Sequence, residues 1–307
     1  MDKIAFLFAG QGSQYPGMGK DLYEGSRAAR AVFDLAERLR PGTADMCFSG
    51  SAEELSRTIN TQPCLFTVNL ACAAALLEKR PDAGPSAVAG FSLGEMSGAA
   101  FCGMLPYETA FEAVRKRAEF MDESAGESDG AMAAVLKLSD EQTRDICAAF
   151  RELYPVNYNC PGQVVVAGRR ETIDGAPFRE AVAAAGGRLI KLKVSGAFHS
   201  PFMEGASAKF RRYLSGLIFG CPKYPLYSNA TAEPYGGTSP DDLLSAQVKN
   251  PVLWSQTLEN MKSAGISAFI ELGAGKTLSG LASKIAPEAK ILRVENIDTL
   301  NETSGKL

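Results

Sequence analysis

The chain has 307 residues, 46% of them hydrophobic and 22% charged, and its 32 basic and 35 acidic side chains give a net charge of −3. This length and apolar content predict one large domain and a smaller one, and the near balance of charge argues against a nucleic-acid-binding protein. No apolar run approaches the length of about 20 residues that crosses a bilayer. The segment after Met1-Asp2-Lys3 also lacks a leader's layout, because Gly10-Gln11-Gly12 ends its apolar run. We therefore expect a cytoplasmic protein with neither a membrane nor a nucleic-acid partner.

The cysteines and the histidine limit the kinds of metal and disulfide site that are expected. Seven cysteines stand singly, without a C-x-x-C pair, at positions 47, 64, 72, 102, 147, 160 and 221. This pattern favours buried, reduced thiols over a disulfide framework. His199 is the only histidine, so a site with several histidine ligands is excluded and no metal is expected.

Strands and helices alternate along the first third of the chain. The periodicity predicts a strand over residues 4–8, which ends in the glycine-rich turn 9–14, and a strand over residues 86–90 that runs into a helix at Leu93. Helices are predicted over residues 21–38, 62–79 and 107–122. Such alternation predicts a mostly parallel sheet with helices on its faces.

A polar segment of small residues, 123–130, interrupts this pattern, and a different order of elements follows. Strands are predicted at 131–138, 153–158, 163–168 and 188–194, and helices at 140–151 and 172–185. The order β-α-β-β-α-β is that of a ferredoxin-like unit. We therefore predict a small ferredoxin-like domain, residues 128–195, inserted into a large domain made of residues 1–127 and 196–307.

Alternation resumes after this unit. Helices are predicted at 201–217, 241–249, 252–264 and from 276 to 285, and strands at 225–229 and 267–272. The large domain is therefore expected to be α/β on both sides of the insert.

The pentapeptide Gly90-Phe91-Ser92-Leu93-Gly94 fits the G-x-S-x-G pattern, with a predicted strand before it and a helix after it. Its glycines allow a tight turn that exposes the serine oxygen, and the N–H groups at the helix start favour a developing oxyanion. Glu95, in the first helical turn, suits the helix dipole. The alternative is a glycine-flanked turn in which Ser92 only caps the helix, but the flanking elements favour a nucleophile.

A serine hydroxyl needs a neighbouring base, which near neutral pH is most often histidine. His199 follows a predicted strand, in a loop of small residues at the return from the small domain into the large one. A lone histidine is commonly a surface or core residue without a catalytic role. Because no other histidine is present and a cleft is expected at this junction, we predict that His199 is the base.

Arg117 differs from its neighbours on the predicted helix 107–122. Arg115 and Lys116 have glutamates three or four positions away, whereas the same spacings from Arg117 hold Ala113, Val114, Phe120 and Met121. No acid on its own helix answers its charge, and burying an unpaired charge is costly. The residues alone leave two alternatives open: bidentate binding of a carboxylate ligand, or an ion pair with an acid from another element.

Five segments together resemble the malonyl-CoA:acyl carrier protein transacylase family, in that family's order and over nearly the whole chain. They are Gly10-Gln11-Gly12-Ser13-Gln14, Gly90-Phe91-Ser92-Leu93-Gly94-Glu95, the helix with Arg117, Gly196-Ala197-Phe198-His199-Ser200 and Gln247-Val248-Lys249-Asn250-Pro251-Val252. The resemblance implies an α/β-hydrolase-like large domain with a ferredoxin-like insert. It also implies ping-pong transfer of malonyl from malonyl-CoA to the phosphopantetheine thiol of an acyl carrier protein, without a cofactor, in fatty acid or polyketide synthesis.

The resemblance also implies residue roles. Ser92 would carry the malonyl ester, His199 would be the general base and Arg117 would bind the malonyl carboxylate. The backbone N–H groups of Gln11 and Leu93 would form the oxyanion hole. Gln247 would orient the site by holding the histidine through its backbone carbonyl. In one departure, Phe91 stands where the family usually has histidine, so acyl selectivity is expected to differ while the base is retained.

Two other functions remain as alternatives: a thioester hydrolase with the same dyad, and a non-catalytic module that binds carrier proteins. The chain is expected to act as a monomer. Carrier proteins are usually acidic, so a basic rim on the small domain is a candidate docking surface, although solvated strand edges explain the same residues nearly as well. The basic rim consists of Arg169, Arg170, Arg188, Lys191 and Lys193.

Overall fold

The computed structural model describes residues 3–307 and contains two separate sheets, one parallel and one antiparallel. Residues 1 and 2 lie outside the described residues. They begin the predicted large domain and the segment predicted to lack a leader's layout. The described strands are β1 Ile4–Phe8, β2 Ala87–Gly90, β3 Gly130–Leu136, β4 Leu153–Cys160, β5 Gln163–Arg169, β6 Arg188–Lys191, β7 Ala268–Leu272 and β8 Lys290–Val294.

The described helices come before, between and after these strands. They are α1 Lys20–Gly25, α2 Arg27–Leu39, α3 Thr43–Ser49, α4 Ala52–Ser56, α5 Thr58–Lys79, α6 Leu93–Phe101, α7 Tyr107–Gly126, α8 Asp140–Ala148, α9 Arg170–Asp174, α10 Ala176–Ala184, α11 Glu204–Leu214, α12 Pro240–Lys249, α13 Trp254–Ser263, α14 Thr277–Ile285 and α15 Ile297–Lys306. A 3₁₀ turn, Pro201–Met203, precedes α11.

The larger layer is a parallel sheet in the order β2-β1-β7-β8. In its register Phe6 lies between Val88 on β2 and Ile270 on β7. Strands β1, β2 and β7 are almost wholly buried, as expected for a parallel sheet with helices on both faces. The parallel sheet that the sequence predicted is therefore confirmed.

The smaller layer is an antiparallel sheet in the order β4-β5-β3-β6. Numbered within the unit, this is the order 2-3-1-4 produced by β-α-β-β-α-β connections. Its helices cover one face, and its own apolar cluster includes Val135, Val166 and Phe178. The predicted α/β class with a ferredoxin-like unit is thus confirmed, while the domain limits at 127/128 and 195/196 stay a prediction.

Two predicted helices were wrong as continuous elements. Residues 21–38 divide at Ser26, which has extended backbone angles and accepts a hydrogen bond from the N–H of Ala29, so it caps α2. Residues 172–185 divide at Gly175, which is also extended and separates α9 from α10. In both cases a residue type that favours helix ends overrides the apolar periodicity.

The predicted strand 225–229 was also wrong. Leu226 and Tyr227 form only isolated bridges, to Val88 and Pro234. The sequence reasoning did not identify α3, α4, β8 or α15 at all. Of these, α4 begins with a capping box between Ser51 and Glu54, a local signal that was available.

Helix α5 passes through the centre of the main core. By length and composition it is the one described helix that could cross a membrane, but 89% of its most apolar window is buried in the protein. Its side chains pack under the parallel sheet with Phe6, Phe8 and Phe111. All seven cysteines have free thiols, and only Cys221 is exposed.

Candidate active site

A strained turn between β2 and α6 presents Ser92. Its φ and ψ angles are 52° and −105°, a combination that L-residues rarely adopt. The turn is very tight: a Cβ on Gly90 would lie 1.9 Å from the carbonyl carbon of Gly94, and a Cβ on Gly94 would lie 2.1 Å from the carbonyl oxygen of Phe8. Only glycine fits at these two positions, as a nucleophile elbow requires.

Asn229 holds this turn from a neighbouring segment. Its side-chain oxygen accepts a hydrogen bond from the backbone N–H of Ser92 at 2.6 Å, and its amide nitrogen donates to the carbonyl of Gly90 at 2.7 Å. Sequence reasoning missed this residue. The available signal was weak, because Asn229 is one polar residue at the end of a segment taken for a strand.

His199 faces the serine oxygen. Its Nε2 lies 2.8 Å from Ser92 Oγ, and its Nδ1 lies 2.8 Å from the backbone carbonyl of Gln247. Because a carbonyl can only accept, Nδ1 carries the proton and Nε2 is left free to accept one. Burial, and then the charge of Arg117, lower the pKa of His199 to about 4. The imidazole is therefore a neutral base at neutral pH.

Arg117 projects from α7 into the same site and is 1% exposed. One guanidinium nitrogen donates to Ser92 Oγ at 3.0 Å and to the side-chain oxygen of Gln247 at 2.7 Å, and the other terminal nitrogen donates to Gln62 at 2.8 Å. Its Nε has no partner among residues 3–307. Burial lowers its pKa to about 10, so it remains a cation.

Arg117 has no direct acidic partner among residues 3–307. Within the part of the chain that the structure describes, no carboxylate lies within 4.0 Å of its guanidinium, so the ion pair considered as an alternative is not formed. Its hydrogen-bond partners in the described part of the chain are two neutral amides and a hydroxyl. Gln62, on α5, was also missed from the sequence, because nothing local connects it with a residue 55 positions away.

Gln247, on α12, contacts four other residues of the site. Besides its contacts with His199 and Arg117, its amide nitrogen donates to the backbone carbonyl of Ser92 at 2.8 Å and to Glu95 at 2.9 Å. Glu95 is fully buried, and this burial raises its pKa to about 7. The sequence suggested only a helix-dipole role for Glu95, so its place beneath the nucleophile is a finding of the structure.

The two expected oxyanion donors lie on either side of the elbow. Leu93 opens α6, and Gln11 lies in the turn after β1, which approaches Phe91 closely at Gly10. Neither backbone N–H donates a hydrogen bond to any acceptor in residues 3–307. Both are thus available to a ligand oxygen, in a part of the site where Ser92 N–H is already occupied.

A cleft of about 470 Å³ separates the elbow from the antiparallel sheet. Its wall includes Gln11 and Phe91 on one side and Asn157, Asn159 and Lys193 on the other. Phe91 packs edge-on against Trp254, with ring centroids 5.4 Å apart. The residue that replaces the expected histidine therefore gives the cleft an aromatic wall beside Ser92.

The basic rim is partly neutralised by acids. Arg169 pairs with Glu152 at 2.5 Å, Arg170 with Asp129 at 2.6 Å and Lys191 with Asp174 at 2.6 Å. Arg188 and Lys193 have no ion-pair partner among residues 3–307. A second cleft, of about 460 Å³, adjoins the first and is lined by Arg57, Arg170, Lys191 and Lys193.

No metal site is apparent in the described part of the chain: residues 3–307 contain no group of three or more His, Cys, Asp or Glu side chains that could hold an ion.

Comparisons with known proteins agree on one family. The family model described as acyl transferase domain matches residues 5–285. The malonyl CoA-acyl carrier protein transacylase of Bacillus subtilis is 38% identical over 98% of this chain and 96% of its own length. The crystal structure of the Clostridium perfringens malonyl CoA-acyl carrier protein transacylase is 34% identical, with a TM-score of 0.94 over 99% of this chain and 96% of that one.

A further solved structure contains a partner. It is a malonyl-transacylase in complex with its type II polyketide synthase acyl-carrier protein, 30% identical to this chain, with a TM-score of 0.94 over 99% of this chain and 100% of that one.

Proposed function

The chain belongs to the malonyl-CoA:acyl carrier protein transacylase family, and from this premise we propose that it transfers malonyl by a ping-pong mechanism with Ser92 as nucleophile and His199 as base. Arg117 binds the malonyl carboxylate, and Gln247 holds both the base and the arginine. The acyl donor is malonyl-CoA and the acceptor is the phosphopantetheine thiol of an acyl carrier protein.

In the first half-reaction, Ser92 Oγ attacks the thioester carbonyl carbon while its proton passes to His199 Nε2. The negative charge that develops on the carbonyl oxygen is stabilised by the N–H groups of Gln11 and Leu93, each contributing about 3 kcal/mol. When the carbon–sulfur bond breaks, His199 returns the proton to the sulfur of coenzyme A, and the malonyl ester remains on Ser92.

In the second half-reaction, the carrier's thiol enters the cleft and gives its proton to His199. The thiolate attacks the ester carbonyl, and Ser92 leaves as an alcohol after taking back that proton. The imidazolium formed in each half-reaction is held by the carbonyl of Gln247, 2.8 Å from Nδ1. A carbonyl in this place replaces the acid of a Ser-His-Asp triad.

One observation carries this proposal: a single buried hydroxyl is contacted by a neutral imidazole at 2.8 Å and, at 3.0 Å, by an arginine that has no acidic partner among residues 3–307. The imidazole supports nucleophilic attack. The unanswered charge supports a substrate that brings its own carboxylate, because a buried guanidinium gains most from a bidentate anion.

Intact-protein mass spectrometry after exposure to malonyl-CoA tests the proposal. The chain should gain one malonyl group and lose it when a phosphopantetheinylated carrier protein is added, and the Ser92→Ala variant should gain none. An unmodified wild-type chain would overturn the nucleophile assignment.

The hydrolase alternative predicts a different product from the same reaction. If free malonate accumulates and the carrier protein keeps its original mass, water rather than a thiol accepts the acyl group. The non-catalytic carrier-binding alternative predicts neither an acyl-enzyme nor any malonyl transfer. The three outcomes therefore separate the three functions.

For the carrier protein, we propose docking beside the second cleft. Lys193 lines both clefts, and neither it nor Arg188 has an ion-pair partner among the described residues, so their charges are available to an acidic partner. Reversing the charge at Arg188 and Lys193 should raise the carrier's KM and leave that of malonyl-CoA unchanged. Reversal at Arg169, whose charge Glu152 already answers, is the matched control.

We further propose that the chain acts as a cytoplasmic monomer that uses no cofactor. A cofactor would have no step to perform in this mechanism, because the proton, the acyl group and the leaving thiol are all handled by the residues named above. Sedimentation of the purified chain tests the oligomeric state, and a mass above that of one chain would contradict it.

A further inference from the structure

Glu95 lies directly beneath the nucleophile, in the first turn of α6, and is fully buried. Its carboxylate accepts three hydrogen bonds from three separate segments. Tyr235 donates to one oxygen at 2.5 Å, while the Gln247 side chain and the backbone N–H of Asn229 donate to the other at 2.9 Å and 3.1 Å. The mechanism described above gives this acid no role.

The Gln247 amide connects Glu95 to Arg117. Its nitrogen donates to Glu95 and its oxygen accepts from Arg117 at 2.7 Å, so the carboxylate and the guanidinium interact through one intervening amide without direct contact. The charge of Glu95 favours the charged form of Arg117. An acid in direct contact would occupy the guanidinium fork, whereas an acid one amide away leaves the fork open to a ligand.

We infer that Glu95 is a positioning residue: through Gln247, it sets how strongly Arg117 binds the substrate carboxylate. The inference rests on the proposed role of Arg117. Glu95 orients the amide so that its oxygen faces the guanidinium. When Glu95 is ionised, its negative charge also repels the incoming carboxylate and offsets part of the positive charge of Arg117.

Competition of this kind couples substrate binding to the protonation of Glu95. A carboxylate bound at Arg117 offsets the positive charge that stabilises ionised Glu95, so substrate binding favours the protonated form of Glu95. Because the two equilibria are linked, the substrate in turn binds better when Glu95 is neutral. Burial raises the pKa of Glu95 to about 7. The groups that face it are Arg117 from α7, the Tyr235 hydroxyl and the neutral amide of Gln247 from α12. His199 stays neutral because its pKa is lowered to about 4.

The test compares kcat/KM for acylation of Ser92 by malonyl-CoA and by acetyl-CoA between pH 6 and pH 8. Both donors contain coenzyme A and react with the same base, so the ratio of their kcat/KM values, malonyl-CoA over acetyl-CoA, reports the contribution of the malonyl carboxylate alone. In the wild-type protein this ratio should fall about fivefold as pH rises through 7. A level ratio would overturn the inference without any variant being needed.

Glu95→Gln removes the charge and keeps the geometry. The fixed N–H of Asn229 requires an oxygen at one position of the new amide, and the Tyr235 hydroxyl can turn to accept from its nitrogen. The ratio should then be independent of pH and at least as high as the wild-type value at pH 6. A persistent pH dependence in this variant would assign the titration to another group.

Tyr235→Phe is the matched second variant. The hydroxyl stabilises the ionised form of Glu95, so its loss should raise the pKa of Glu95 and move the fall in the ratio to higher pH, and an unmoved profile would contradict the inference. Arg117→Ala separates this inference from the function itself. If that variant loses its preference for malonyl-CoA while the wild-type ratio does not change with pH, Arg117 still binds the carboxylate and only the role of Glu95 is wrong.

Discussion

The Nε2 atom of His199 lies 2.8 Å from the Oγ atom of Ser92, although the two residues are 107 positions apart in the chain. Both residues have positive φ angles, 60° for His199 and 52° for Ser92. Two strained backbone positions therefore meet at one hydrogen bond, and the surrounding structure must maintain both.

The pH dependence of acylation should report the buried base. Burial and the Arg117 charge lower the pKa of His199 to about 4, so the imidazole is unprotonated, and competent, at every pH above that value. The rate of Ser92 acylation by acetyl-CoA, which carries no carboxylate, should stay level from pH 8 down to pH 5 and fall as pH approaches 4. A half-loss near the ordinary histidine pKa of about 6.5 would show that the base is exposed to solvent.

Replacing Arg117 should change which acyl group is transferred. In Arg117→Ala, acylation by malonyl-CoA should fall about 100-fold, since removing one partner of a buried charge pair costs about 3 kcal/mol. Acylation by acetyl-CoA should be retained or improved. Single-turnover acylation with both donors measures this.

Arg115→Ala is the matched control on the same helix. Arg115 is partly exposed and pairs with Glu112, so its loss should change neither rate. Equal losses with both donors in Arg117→Ala would contradict a role for Arg117 in binding the malonyl carboxylate, because they would show that it supports Ser92 whichever acyl group is transferred.

Three residues of the candidate site could be predicted because each is anomalous in its own surroundings, whereas Gln11 and Gln247 were expected there only from the family resemblance. Ser92 has the glycines of an elbow, His199 is the sole histidine and Arg117 has no acid on its helix. Asn229, Gln62 and Glu95 have no such local signal. Their roles arise from tertiary contacts over 55 to 152 positions, and single-sequence patterns do not contain that information.

The same distinction explains which parts of the fold were predicted. Strands β1 and β7 are apolar except for Glu271 and are both followed by turn residues, and they were placed within one residue. The segment 225–229 is equally apolar at Leu226, but it makes only isolated bridges. Whether an apolar segment joins a sheet depends on the neighbouring strand that tertiary packing supplies.

Asn229 should be required both for stability and for the elbow. In Asn229→Ala the N–H of Ser92 and the carbonyl of Gly90 would lose their partners in the interior, which should lower the free energy of unfolding by about 2 kcal/mol. Asn229→Asp keeps the acceptor for Ser92, but an ionised carboxylate would face the Gly90 carbonyl in the interior, so this variant should lose at least as much stability as Asn229→Ala. Urea denaturation measures stability, and Ser92 malonylation measures the site. An Asn229→Ala variant as stable as the wild type would show that these two hydrogen bonds contribute little.

The elbow glycines should tolerate no side chain. In Gly90→Ala the new Cβ would lie 1.9 Å from the backbone of Gly94, and backbone atoms on both sides cannot move without opening the turn. The loss of stability should exceed about 4 kcal/mol, as for severe strain in a core. Gly126→Ala is the matched control, because no atom of residues 3–307 lies within 4 Å of the added Cβ and Gly126 ends a helix. This variant should be neutral or more stable by about 0.5 kcal/mol. If thermal unfolding shows Gly90→Ala to be as stable as Gly126→Ala, the turn is looser than its contacts indicate, and strain does not hold the serine above the sheet.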